Sequence, residues 1–161
     1  YEIWNSTLDI NLTGPFLLTR AGWPQMLKVG RGRIINIAST ASHTGAENYA
    51  AYCDSKAGVL GLTRVTALEG AKVGILANSI SPSWVDTPMM AASMEHQAKI
   101  SSKSASSIYE EVKSSNPQDR VISPEEIAQQ IIWLALDDLI INVSPFNVTT
   151  FSLGIVLAPV T

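Results

Sequence analysis

Ile34-Ile-Asn-Ile-Ala38 and Ile75-Leu-Ala-Asn-Ser-Ile80 are short apolar, β-rich runs, and the way the chain joins them decides the fold. Turn residues precede each: Gly30-Arg-Gly-Arg33 leads into the first and Gly74 into the second. Between them lie Ala50, Ala51, Ala57, Val59, Leu60 and Leu62, a pattern that predicts a helix from about Asn48 to Lys72. An unbroken apolar run suits a strand covered on both faces, so Ile34–Ala38 is expected to be a central parallel strand. Strand, helix and strand of these lengths form a βαβ unit with a right-handed crossover. The fold class is therefore α/β with a parallel sheet. Ligands of such sheets gather beyond the carboxyl ends of the strands. Here those ends are Ser39, which opens a loop to Glu47, and the segment Ser81-Pro-Ser-Trp-Val-Asp-Thr-Pro88.

The linking helix carries Tyr52 and Lys56, four residues apart and hence on one face, one turn from each other. A free phenol titrates near ~10 and shuttles protons poorly at neutral pH. A neighbouring ammonium favours the phenolate, as a general acid/base requires. Ser39 lies thirteen residues before Tyr52, at the tip of the first strand. Its hydroxyl is placed to hold a substrate oxygen while Tyr52 moves the proton, which points to carbonyl/alcohol chemistry. The plainer alternatives are a lysine stem packed on a ring and a serine that simply makes a turn.

Upstream, Ile3, Leu8, Ile10, Leu12, Phe16, Leu17, Ala21 and Met26 predict a long helix from Glu2 to about Leu27. Gly14-Pro15 is expected to break or bend it and Pro24 to loosen its end. Asn11 sits just before that weak point, where freed backbone groups bind water and a polar side chain can anchor a proton relay. Downstream, Ala91–Gln118 is polar and Ser-rich and reads as a short helix or a flap. Met89, Met90 and Met94 at its start suit an apolar pocket wall or core filling. Ser123-Pro124-Glu125-Glu126 supplies an N-cap, a first-position proline and first-turn acids, predicting a helix to about Leu136. Beyond it, Phe151–Leu157 reads as a possible strand.

With 161 residues, 46% hydrophobic and 16% charged, the composition suits one folded domain with a sizeable core. The net charge of −3 comes without a basic stripe, which speaks against nucleic acid; Arg31 and Arg33 are expected in a solvated turn. Asp137 and Asp138 interrupt the longest apolar stretch, against a membrane span. Cys53 is the lone cysteine, so a reducing, cytoplasmic setting is expected. The start, Tyr1-Glu-Ile-Trp-Asn5, has neither the basic residues nor the apolar run of a signal peptide, and the absent initial Met suggests a beginning inside a gene. A metal or thiol enzyme built on Cys53, His43 and His96 is disfavoured because the three lack ligand spacing, and no metal is expected.

Five motifs now stand together: Asn11-Leu-Thr-Gly14, Gly32-Arg-Ile-Ile-Asn-Ile-Ala-Ser39, Tyr52-Cys-Asp-Ser-Lys-Ala-Gly58, Ser81-Pro-Ser-Trp-Val-Asp-Thr-Pro88 and Pro124-Glu-Glu-Ile-Ala128. In order and spacing, over residues 1 to about 138, they resemble the short-chain dehydrogenase/reductase family. The resemblance implies a Rossmann-like, doubly wound parallel sheet and an oxidoreductase moving hydride between NAD or NADP and a secondary alcohol or ketone. It implies a tetrad in which Asn11 holds a relay water, Ser39 binds the substrate oxygen and Tyr52 is the general acid/base. Lys56 would acidify Tyr52 and hold the nicotinamide ribose, and Pro82, Val85 and Thr87 would contact the nicotinamide side. A homodimer or homotetramer is implied for the full-length parent.

Three departures qualify it. The family's glycine-rich first strand-turn-helix has no counterpart, so residues 1–138 match only the catalytic half, with the N-terminal dinucleotide-binding half missing. Ser83 follows Pro82 where the family has glycine, which is expected to strain the turn or crowd the cofactor. Residues 139–161 form a divergent tail in place of the usual last strand. The competing reading is an inactive remnant that pairs with full-length subunits through the helices around residues 2–27 and 48–72, whose apolar faces would otherwise be exposed.

Overall fold

The structure, a computed structural model, describes residues 1–136. The expectations for residues 139–161, including a strand at Phe151–Leu157, lie outside the described residues. The chain opens with one long helix: α1 (Glu2–Leu8), a π turn (Asp9–Thr13) and α2 (Gly14–Val29) follow one another in helical conformation. The irregularity was expected at Gly14-Pro15 and falls one turn earlier, for a physical reason. Pro15 has no N–H to give the carbonyl of Asn11, and its ring crowds that carbonyl. The helix widens instead, and the N–H of Gly14 reaches back five residues to the carbonyl of Asp9. Pro24 lies inside α2 without ending it. The helix stops at Gly30 (φ 70°), where the N–H groups of Gly30 and Arg31 donate to the carbonyls of Leu27 and Met26. A left-handed residue closing these two bonds is a Schellman cap.

Strand β1 (Gly32–Ile37) pairs in parallel with β2 (Ile75–Ile80), Gly32 opposite Ile75 and Ile37 opposite Ile80. Short α3 (Ala41–Thr44), within the stretch expected to be loop, and long α4 (Ala50–Ala71) form the crossover. Helix α4 packs on both strands: Val59 and Leu60 meet Ala38 and Leu12, and Ala67 meets Ala77 and Ile34. Glycine is required where the helix turns into β2. At Gly70 a Cβ would stand 2.5 Å from the carbonyl oxygen of Ile75, and at Gly74 (φ 76°) it would overlap the carbonyl of Gly30.

Strand β2 is buried along its whole length, as its apolar sequence demands. Strand β1 differs from the expected central strand: Asn36 alone of its six residues is buried, and Ile37 is 38% exposed. The cause is pairing on one side only, since the described sheet has two strands. The N–H groups of Gly32 and Ala38 point to β2, so the alternate residues Arg33, Ile35 and Ile37 turn their backbone groups to the open edge. Arg33, expected in a turn, is in the strand, and its guanidinium donates to the carbonyl of Gly32.

After β2, Ser83 keeps a negative φ, so the strain expected from replacing glycine is absent. The Ser-rich stretch forms two helices, α5 (Pro88–Ser101) and α6 (Ala105–Ser115). Hydroxyls cap both: Thr87 accepts from the Met90 N–H and Ser104 from the Ser107 N–H. Met90, Met94, Ile108 and Val112 form their shared core, flanked by Trp84 and Val121, so two of the three methionines fill a core while Met89 is exposed. The excursion closes on itself, because Ile122 bridges Val85 in parallel. Helix α7 (Pro124–Leu136) follows.

The start of α7 is held by a reciprocal capping box: the Ser123 N–H donates to Glu126 and the Glu126 N–H to Ser123 Oγ. Arg120 adds a fork, its two terminal nitrogens 2.7 and 2.6 Å from the Glu126 oxygens. The Arg120 hydrogen bond, then the Ser123 N–H, lower the Glu126 carboxyl from 4.5 to about 2. A carboxyl that titrates lower in the folded chain stabilises above its unfolded pKa, and that contribution fades as pH falls from 4.5 toward 2. Because the pair is largely solvent-screened, Glu126→Gln should cost only about 1 kcal/mol at pH 7. Urea unfolding at pH 7 and near pH 2 checks this: the gap between variant and parent should close in acid.

Candidate functional site

Helix α4 is the platform of the site. Asn36, on β1, donates 2.8 Å to Thr63 Oγ1, and Thr63 donates to the carbonyl of Val59. This buried polar bridge fixes the helix register against the strand. Two turns nearer the helix start, Lys56 Nζ donates 2.9 Å to the carbonyl of Ile37 at the open edge of β1. The same ammonium stands 5.8 Å from the centroid of the Tyr52 ring, within cation–π range. Both side chains are half-buried. Burial pushes the Lys56 ammonium below its ordinary pKa. Lysine and tyrosine thus share one face, at the carboxyl end of β1.

Asn11 lies in the π turn, half-buried, and its Nδ2 donates 3.1 Å to Ser55 Oγ on α4. Ser55 in turn donates 2.8 Å to the carbonyl of Tyr52. Asn11 and Tyr52 are therefore joined through a fully buried hydroxyl that sequence reasoning gave no role. Its signal was available: Ser55 falls one turn after Tyr52, on the face turned toward Asn11.

Ser39 is 8% exposed at the end of β1. Its Oγ accepts from the Ala41 N–H at 3.2 Å, which leaves its proton free for a further acceptor, and its own N–H donates to Ser42 Oγ. The plain turn role of this hydroxyl is therefore present in the structure. The ends of the two strands stay together beyond the sheet, for the Thr40 N–H donates to the carbonyl of Pro82. His43, in α3 and not in a loop, places Nε2 3.3 Å from the buried Ser81 Oγ.

Of the residues expected against a nicotinamide, Pro82 is buried where β2 ends and Val85 is fixed by its bridge to Ile122. Thr87 uses its hydroxyl as the α5 cap and donates 3.2 Å to the carbonyl of Val85. Tyr49 was missed. It precedes α4 and hydrogen-bonds Ser93 and Gln97 on α5, so one wall of the site hangs on it. Its helix partners lie 44 and 48 residues away in sequence, beyond any periodicity argument. Among the described residues no group of three or more His, Cys, Asp and Glu side chains is arranged to hold a metal, and His96 lies on α5. No helix among them is long and apolar enough to cross a membrane.

Parallel strands joined by a helix that carries Tyr52 and Lys56, with polar side chains gathered at the strands' carboxyl ends, define an α/β domain of the Rossmann type. Residues 1–141 match the family described as enoyl-(acyl carrier protein) reductase. D-beta-hydroxybutyrate dehydrogenase of Cupriavidus necator is 36% identical over 135 residues, 83% of this chain and 52% of that protein. An actinorhodin polyketide ketoreductase solved with NADPH superposes with a TM-score of 0.77 at 38% identity, over 83% of this chain and 52% of its own. NAD+-bound xylitol dehydrogenase gives 0.79 at 34%, over 84% and 54%. The chain belongs to the short-chain dehydrogenase/reductase family. It spans about half the length of the curated relatives it matches.

The lowered Lys56 pKa has a testable sign. A lysine titrating lower in the folded chain than the ordinary 10.5 binds fewer protons there, so stability rises with pH across that interval. Lys56→Met removes the titration. Chemical unfolding should show the parent gaining on the variant as pH is raised from 7 toward 10.5. A constant difference would contradict the burial of the ammonium.

Proposed function

We propose that this chain carries the catalytic half of an oxidoreductase that moves hydride between NAD or NADP and a secondary alcohol or ketone. The observation that carries the proposal is the ammonium of Lys56 bonded at the carboxyl end of β1, one helical turn from Tyr52. When bound, the nicotinamide supplies the hydride donor or acceptor. The donor set suits its ribose end: a cation, Lys56, beside a hydroxyl, Tyr52, with Pro82, Val85 and Thr87 following β2. In reduction, Ser39 donates a hydrogen bond to the ketone oxygen and Tyr52 gives that oxygen its proton. In oxidation, Tyr52 takes the proton of the alcohol. Lys56 holds the ribose, its ammonium beside the Tyr52 ring. Asn11, anchored on Ser55, orients the water that returns protons to the site.

Relatives and structural neighbours support the chemistry: they include acetoacetyl-CoA reductase and D-threitol dehydrogenase, and solved neighbours carry NADPH and NAD+. An oligomer in a reducing, cytoplasmic setting is part of the same reading. Its support is the exposed apolar side chains of the long first helix and α4, among them Ile3, Ile10, Leu18, Val65 and Leu68, with the lone half-buried Cys53. Residues 1–138 form the catalytic half in this reading, and 139–161 are a stretch of divergent sequence in place of the usual last strand.

The sequence contains no Gly-x-x-x-Gly-x-Gly run to bind a pyrophosphate at a helix start. NADH should therefore bind this chain more weakly than micromolar, and single-turnover conditions are needed to read its chemistry. With saturating NADPH or NADH and ethyl acetoacetate, Tyr52→Phe should slow reduction by roughly 100-fold or more. Equal rates for parent and variant would refute the assignment.

A further inference from the structure

Helix α5 is attached to the helix of Tyr52 by one side chain. Tyr49 Oη shares a hydrogen bond of 2.8 Å with Ser93 Oγ and accepts another of 3.4 Å from Gln97 Nε2. Ser93 and Gln97 are four residues apart, so both rise from one face of α5. Among the described residues these are the side-chain hydrogen bonds that link α5 to the α4 region. The Tyr49 backbone is firmly set. It caps α4, its carbonyl accepts from the Cys53 N–H at 2.8 Å, and Asn48 before it adopts a left-handed φ of 65°. Its ring meets the Tyr52 ring edge to face, with centroids 6.5 Å apart and planes at 77°.

We propose that Tyr49 is a positioning residue that clamps α5 onto the start of α4 and, through the ring contact, sets the orientation of Tyr52. The proposal rests on the reading of Tyr52 as the proton-transfer group. Apart from this clamp, the α5–α6 pair is held through its own apolar core and by the Val85–Ile122 bridge at its base. Packing within the pair stabilises it without fixing its distance from Tyr52. The hydroxyl of Tyr49 fixes that distance, and its ring transmits it. A flap tied in this manner closes one wall of the site in a defined place and leaves the phenol of Tyr52 a restricted range of ring orientations.

The discriminating variants lie on α5, at the two side chains that bond the Tyr49 hydroxyl. Ser93→Ala removes the shared hydrogen bond; Ser93→Thr keeps a hydroxyl; Gln97→Leu removes the second donor. The full chain, with 13C-labelled tyrosine, gives two readouts: amide exchange along residues 88–101 and the ring resonances of Tyr52. Ser93→Ala should speed α5 exchange roughly fivefold, the loss of one neutral hydrogen bond, and shift the Tyr52 resonances. Gln97→Leu should act in the same direction, and Ser93→Thr should restore both signals. Faster exchange without movement of Tyr52 would leave a purely structural tie and overturn the proposal, as would unchanged exchange. Neither readout needs turnover, so a chain inactive toward ketones still tests the clamp. A failed clamp in a chain that reduces ethyl acetoacetate leaves the oxidoreductase reading intact.

Discussion

The hydrogen bond from Asn11 to Ser55 joins the chain's first helix to the helix that carries Tyr52 and Lys56. Its geometry depends on two sequence features at a distance. Pro15 denies the Asn11 carbonyl its usual donor, so the helix widens at residues 9–13 and turns Asn11 toward α4. Gly58 lets the helices approach, since a Cβ there would lie 2.7 Å from Leu12 Cδ2. Leu12 then joins Ala38, Val59 and Leu60 in the core beneath the site. A backbone defect and a missing side chain together bring a polar group to a buried hydroxyl.

Helix α4 is held from four directions by polar bonds. Thr63 binds Asn36 of β1, Ser55 binds Asn11, Lys56 binds the edge carbonyl of Ile37, and Tyr49 at its cap binds α5. Polar bonds with exact partners specify register, whereas the small apolar contacts of Ala67 and Ala77 mainly bring the helix close. The Lys56 bond also explains how an edge strand with outward-facing backbone groups meets part of its hydrogen-bonding need. Beside that edge lies a groove of about 530 Å³ lined by Asn11, Arg33, Ile35, Ile37 and Lys56 among others, so Lys56 stands where the sheet edge and the site meet.

Local patterns were legible in the sequence. Ile75–Ile80 matches its strand residue for residue, because Gly74 and Ser81-Pro82 bracket an apolar run that only a buried strand accommodates. Helix α4 begins within two residues of its expected start, and α7 follows the cap at Ser123. The α5–α6 pair was less legible, since its serines mask two helices whose stability comes from Met90 and Met94 meeting Ile108 and Val112 across a turn. Burial of β1 was overestimated because apolar composition does not say how many neighbours a strand has. The family motifs named Asn11, Ser39, Tyr52 and Lys56, but not the contacts of Ser55 and Tyr49, whose partners come together only in the folded chain.

A double-mutant cycle on Asn11 and Ser55 tests the central claim most directly. Asn11→Ala, Ser55→Ala and the double variant are unfolded in urea beside the parent, and the interaction energy is taken from the cycle. The expected coupling is about 1 kcal/mol, the net worth of one part-buried neutral hydrogen bond. Additive effects would mean that Asn11 and Ser55 do not hold the two helices together, and the platform described for Tyr52 and Lys56 would lose its anchor.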